Sequence, residues 1–219
     1  MYFSPDINNY INRHSCLFGF YLYFWVTMLK QDLHIHTIFS SDDSAIVPQQ
    51  TCKLISKVRH AKRTGISDHF ESLASHFDRY EKEVRSFGFY LGVEVDGADY
   101  VREASQFPLD YYIYHCRDRK SEYKGAEKLL LAGKPVIIAH PQALDTKLKK
   151  VPDACLIEVN NRYVWRNNWR SYFTPFLKQF EFVIGSDAHQ PNWLNQQIAQ
   201  YVTKELGIKE KLIFDANDK

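Results

Sequence analysis

Residues 32–43 read DLHIHTIFSSDD, with two histidines, His34 and His36, on alternate positions of a short apolar run. In a β-strand, positions i and i+2 project to the same face. His34 and His36 then lie side by side, and two neutral imidazoles on one face can chelate one metal ion. A polar pair on a half-buried strand fits the same letters. The aspartates Asp42 and Asp43 follow within a few residues. What lies at the ends of the other apolar runs decides between these readings.

Short runs rich in β-branched, aromatic and leucine residues recur at 32–36, 63–67, 90–95, 111–115, 135–139, 156–159 and 182–185. Helix-like stretches lie between them. Residues 47–60 carry Pro48 early, an allowed first-turn position, and residues 77–87 stop at Gly88. Residues 122–132 stop at Gly133, with Pro135 closing behind it, and residues 193–206 stop at Gly207. Strands alternating with helices predict an α/β fold with a parallel sheet, and seven units predict a closed or nearly closed barrel. An open doubly wound sheet is the alternative. No G-x-G-x-x-G or P-loop follows any strand, which removes its usual nucleotide-binding reading.

With 219 residues, 45% of them hydrophobic, the chain can bury one core. A net charge of +2 gives no basic track for a long nucleic acid. The four cysteines, Cys16, Cys52, Cys116 and Cys155, form no C-x-x-C, so reduced thiols of a cytoplasmic protein are expected. Residues 16–29 (CLFGFYLYFWVTML) form an apolar run shorter than the roughly 20 residues that span a bilayer. Three readings stand for it: an extra packing element, a membrane or export segment, or a coding start at Met28. The expected organisation is an extension at 1–27 and a single domain at 28–219.

The strand ends carry the chemistry. The first ends in His34-Ile-His36 and the second runs into Asp68-His69. The third holds Glu94, the fourth ends in His115 and the fifth in His140. The seventh runs into Asp187-Ala-His189. In a parallel barrel these ends share one face, where active sites are built. Any one of them alone reads as a hydrogen-bonded loop or core residue, and Asp187 alone as a helix cap. Six imidazoles with carboxylates buried together need heavy compensation, which metal ions supply. Imidazole and carboxylate without thiolate suit Zn, Mn or Fe. This many ligands suit two to three ions with a bridging carboxylate such as Glu94, an arrangement made for phosphoester hydrolysis. His14, His60 and His76 are read as ordinary surface residues.

In order, DLHIHT, ISDHF, GVEV, His115, IAHP and GSDAH resemble the motifs of the polymerase and histidinol phosphatase (PHP) superfamily. The resemblance covers Asp32 to about Gln190. It implies a distorted (β/α)7 TIM-like barrel with a trinuclear metal centre that hydrolyses phosphoesters. It also implies the ligands: His34, His36, Glu94 and Asp187 for one ion; Glu94, His115 and His140 for a second; His69, His189 and Asp42 for a third, with Asp43 as a substitute for Asp42. The implied activity is hydrolysis of a small phosphomonoester, histidinol-phosphatase-like, by a metal-bridging hydroxide. Glu94, Asp187 and His189 are then the catalytic residues, with His189 or Asp187 assisting the leaving group.

A phosphate needs cationic groups at the same end, and Arg117, Arg119 and Arg162 lie on the loops there. Arg117 and Arg162 are the expected phosphate binders, with Asn160 beside them. Asn161 lies on the same loop, and Tyr163 and Trp165 either stack on an organic leaving group or pack the rim. Asp68 is expected to orient a ligand imidazole, and Asp32 to stand behind the ligands or pair with a basic residue. A nucleotide or short-oligonucleotide phosphoesterase or exonuclease of the same superfamily is the alternative. An amidohydrolase is a further one, although its usual strand-four lysine is replaced here by His115. A non-enzymatic barrel serving as a polymerase accessory would be expected to lose ligands, and essentially none are lost.

Overall fold

The computed structural model describes residues 28–215. The expected extension at 1–27, most of the apolar run at 16–29, His14 and Cys16 lie outside the described residues. Six parallel strands form one sheet in chain order: β1 (Gly65–Ile66), β2 (Tyr90–Asp96), β3 (Tyr111–His115), β4 (Val136–Ile138), β5 (Leu156–Asn160) and β6 (Phe182–Gly185). The sheet curls into a half-barrel. The helices are α1 (Cys52–Val58), α2 (Phe70–Leu73), α3 (Phe77–Ser86), α4 (Val101–Ala104), α5 (Lys120–Leu130), α6 (Trp169–Phe173) and α7 (Gln197–Leu206). Among the described residues no helix is long and apolar enough to cross a membrane.

Side-chain alternation sorts the strands into two cores. Leu91, Val93, Tyr112, Tyr114, Ile138 and Ile157 face outward and pack on Tyr80 and Val84 of α3, Leu129 of α5 and Val202 of α7. Tyr90, Tyr111, Ile113, Ile137, Leu156 and Val183 face the concave side. Tyr111 fills the middle of that side. A Cβ on Gly92 would come within 2.3 Å of its ring, so glycine is what the neighbouring strand must carry there.

The expected first strand differs. Residues 32–36 make isolated parallel bridges, Asp32 to Thr64 and Ile35 to Ala188, rather than a ladder. The Asp32 amide donates to the Arg63 carbonyl at 2.8 Å, and the His36 amide to the Ala188 carbonyl at 3.0 Å. The segment thus changes partner from the β1 side to the residues after β6. Its alternation also breaks, because Leu33 packs in the concave core and Ile35 in the outer one. A complete seven-stranded barrel is therefore not formed as a regular ladder.

Two helices are shorter than expected. The Thr51 side chain accepts from the Leu54 amide at 3.2 Å and caps α1, leaving Pro48 outside the helix. Pro191–Trp193 form a 3₁₀ turn ahead of α7. The stop at Gly207 holds, with φ 67 at the cap.

Candidate metal centre

The concave face changes character towards the strand C-termini. After Tyr90 and Gly92 comes Glu94, which is 3% exposed. Five imidazole Nε2 atoms surround its carboxylate. Those of His115, His34 and His140 lie 2.7, 3.2 and 3.2 Å from Oε1. Those of His69 and His36 lie 3.3 and 3.4 Å from Oε2. Asp187 Oδ1 stands 3.8 Å from His34 Nε2, 3.7 Å from His36 Nε2 and 3.3 Å from His189 Nδ1. Among the described residues, ligand atoms come within 4.8 Å of one another in the groups His36, His69 and His189; His34, Glu94 and His140; and His34, His36 and Asp187.

The outward ring nitrogens show what the inward ones are for. His34 Nδ1 donates to Glu158 Oε1 at 2.8 Å, His69 Nδ1 to Asp42 at 3.2 Å and His115 Nδ1 to Asp96 Oδ1 at 3.1 Å. A carboxylate only accepts, so Nδ1 carries the proton in each. Ser40 Oγ donates to Asp68 Oδ1 at 2.7 Å and is left to accept from His36 Nδ1 at 3.2 Å. With Nδ1 protonated, a ring turns inward either an Nε2 lone pair, when neutral, or an Nε2 proton donated towards Glu94, when charged, and the Nε2 atoms of His34 and His36 face each other at 3.1 Å. Two lone pairs at that distance repel unless a cation or a proton stands between them. Imidazoles backed by carboxylates and aimed at one point are the arrangement that metal sites use. The residues present fit a divalent ion.

The electrostatics agree. Burial resists charging His34, but Glu158, Glu94 and Asp187 outweigh it and hold its pKa well above the ordinary value. Burial together with the neighbouring His189 pushes His36 well below. Burial would raise Glu94, yet His115 and His34 hold it well below the usual carboxylate range. Against burial, Glu94 and Asp96 lift His115 to about 10. Glu94 is thus held anionic by the imidazoles around it. Two ligand positions sit in left-handed backbone conformations, His140 at φ 25 and Asp187 at φ 55. Each costs on the order of 1–3 kcal/mol, held by its surroundings.

The expected site residues fall into distinct places. His34, His36, His69, Glu94, His115, His140, Asp187 and His189 converge. Asp42, half exposed, faces the outward nitrogen of His69. Asp43 lies on the other side, with Oδ2 2.9 Å from His189 Nε2. A cleft of about 300 Å³ opens over Glu94, His115, His140, Asp187 and Asp43, with Arg162 and Tyr163 on its wall. The Arg162 guanidinium carbon lies 5.1 and 4.9 Å from the ring centres of Tyr163 and Trp193, with Nη1 3.6 Å from Asp187 Oδ1. Arg117 instead pairs with Asp96 at 2.5 Å, away from that cleft, and Arg119 is solvent-exposed. Asn160 is buried. Its amide donates to Glu158 and Asp187, and its oxygen accepts from the Arg162 and Tyr163 amides, so no hydrogen-bonding capacity is left for a ligand. Asn161 likewise caps α7 by accepting from the Ile198 and Ala199 amides. Trp165 is 58% exposed.

Asp68 reaches an imidazole through Ser40, whose Oγ donates to it and faces His36 Nδ1. It accepts from the amide and hydroxyl of Thr37 and from those of Ser40, and so pins the loop after the H-x-H. His60 is not a surface residue, because its ring is 6% exposed and bonded to Asp32 at 3.0 Å. Asp32 thereby pairs with a basic residue, as expected. Two participants escaped the sequence reading, Asp96 and Glu158. For Glu158 the pattern was present: counting by two from Leu156 on β5 puts Glu158 and Asn160 on the concave face. No family model matches the chain, and no curated protein matches it.

Proposed function

We propose that this chain is a metal-dependent phosphoesterase of the PHP kind, with a closed or nearly closed barrel plan, acting on a small phosphomonoester. The observation that carries the reading is the Glu94 carboxylate within 3.4 Å of five inward-facing Nε2 atoms. Two to three divalent ions, Zn, Mn or Fe, would be held by His34, His36, Glu94 and Asp187, by Glu94, His115 and His140, and by His69, His189 and Asp43. When bound, such ions supply an acidified water and neutralise phosphoryl charge.

The residues around them have assigned roles. Glu94 is shared between ligand groups. Arg162, close to the Tyr163 and Trp193 rings, orients the phosphoryl oxygens. Tyr163 walls the cleft against the leaving group. Asn160 fixes Asp187 rather than touching substrate. Asp43 takes the third-site role in preference to Asp42, because it faces the cleft. Asp43→Asn should then weaken the loosest metal site more than Asp42→Asn, measured by Zn titration; the reverse order would return the role to Asp42. A mononucleotide is the second substrate reading. It is favoured by a cleft of about 190 Å³ that shares Arg162 and is walled by Trp165, Trp193 and Ile198. The described cysteines, Cys52, Cys116 and Cys155, are buried and unpaired, which supports a reducing, cytoplasmic setting.

The test is hydrolysis of an aryl phosphate with added Mn or Zn, followed by histidinol phosphate against mononucleotides. Phosphate release that depends on metal supports the proposal. A metal-loaded protein that releases none from any of them overturns it.

A further inference from the structure

Glu158 is 1% exposed and lies on β5, outside the strand-end positions that carry the cluster. Both of its oxygens accept. Oε1 takes the proton of His34 Nδ1 at 2.8 Å. Oε2 takes the His140 amide at 2.7 Å and the Asn160 side-chain amide at 3.0 Å. The geometry points to Glu158 as a positioning residue that sets His34 and His140 together, so that both present Nε2 to the same oxygen of Glu94. This rests on reading the cluster as a metal centre.

Each bond does a separate task. The one to His34 keeps a proton on Nδ1, which leaves Nε2 as the nitrogen a metal would take. The one to the His140 amide holds the backbone at φ 25, from which Nε2 reaches Glu94 Oε1 at 3.2 Å. The fold reserves space for this carboxylate. A Cβ on Gly185 of the adjacent strand would lie 1.9 Å from Glu158 Oε1 and 3.0 Å from the His34 Cβ. Glu158 therefore joins the residues just after β4, β5 itself and the 32–36 segment at one point.

Replacing it with glutamine separates the two tasks. Glutamine has the same shape but a single acceptor oxygen. The His140 amide cannot give up its proton, so the oxygen stays with it and the NH₂ turns to His34. His34 Nδ1 must then accept, and the proton moves to Nε2, the nitrogen facing Glu94.

The experiment uses the full chain, ¹⁵N-labelled, as wild type and Glu158→Gln. Imidazole proton–nitrogen correlation spectra are recorded with and without Zn, and Zn affinity is measured by competition with a chelator. The expected wild type carries a proton on His34 Nδ1 in both states. The variant unfolds cooperatively, has lost that proton and binds Zn about 10–100-fold more weakly. An unchanged His34 proton or an unchanged affinity in the variant overturns the inference. If the variant does not fold, the wild type decides: a proton on Nδ1 supports it, and one on Nε2 alone overturns it. A wild type with the Nδ1 proton that binds no Zn removes the metal reading while leaving the Glu158–His34 assignment standing.

Discussion

Along β2 the concave residues are Tyr90, Gly92 and Glu94; along β3 they are Tyr111, Ile113 and His115. Both strands begin apolar and end ionisable, and the boundary steps by one residue pair between them: Glu94 stands level with Ile113, and His115 with Asp96. In the lower half Tyr111 is fully buried, and its hydroxyl donates to the Leu33 carbonyl at 2.7 Å. That hydroxyl is satisfied by protein alone. In the upper half imidazole nitrogens crowd one carboxylate, and His140 Nδ1 is buried without a partner. The lower layer serves folding whether or not a cation is present. The upper layer is settled only by positive charge, and holds two residues in left-handed backbone. The apolar and the ionisable ends of this face therefore make different chemical demands.

That separation can be broken in a fixed order of severity. Glu94→Ala should abolish turnover and metal content while leaving a cooperatively folded protein, read by elemental analysis and circular dichroism. Retained activity would sink the upper-layer role. Tyr111→Ala should cost about 3–5 kcal/mol of stability in urea, the usual range for deleting a buried ring. Metal content of the folded fraction should be unchanged; a loss of metal at constant fold would show that the layers are coupled. Arg162→Ala should lower kcat/KM about 10–100-fold, the value of one charged hydrogen bond, with metal content intact. An effect on metal stoichiometry would move Arg162 from substrate to ligand support.

The smallest effect belongs to the lower rim. Burial raises the Glu210 carboxyl to about 7. Its proton is held in the fold and lost on unfolding, so this group favours the folded state below its ordinary pKa near 4.5. That contribution declines as pH rises through 7. Glu210→Gln stays neutral and should not show the decline. Melting curves of the two proteins should diverge between pH 5 and 8 while metal affinity stays the same; parallel curves would remove Glu210 as the cause.

Much of this was readable in advance because apolar runs and their stops report local physics. Six of the runs became β1–β6, and Gly88 and Gly133 took the positive φ that ends a helix. What escaped depends on partners distant in the chain. Residues 32–36 look like a strand, yet they alternate between two edges, which no local pattern reveals. Pro48 suggested a helix start, but the Thr51 cap placed it later. Asn160 and Arg117 stood at the expected end of the sheet, but hydrogen bonds to Glu158, Asp187 and Asp96 turned them inward or aside. His60 follows a polar helix end, as surface residues do, but its partner Asp32 lies 28 residues away in the chain and buries it. Glu158 lies inside β5 rather than at its end, and only the period of two along the strand puts it on the concave face beside His34.

The most direct test is the stoichiometry of Zn and Mn bound by the purified full chain, measured by elemental analysis after loading and dialysis beside His34→Ala. A metal centre built on Glu94 predicts two to three ions per wild-type chain and a marked loss in the variant. A wild type that retains no metal after loading, with the same melting temperature in chelator as in Zn, would contradict it.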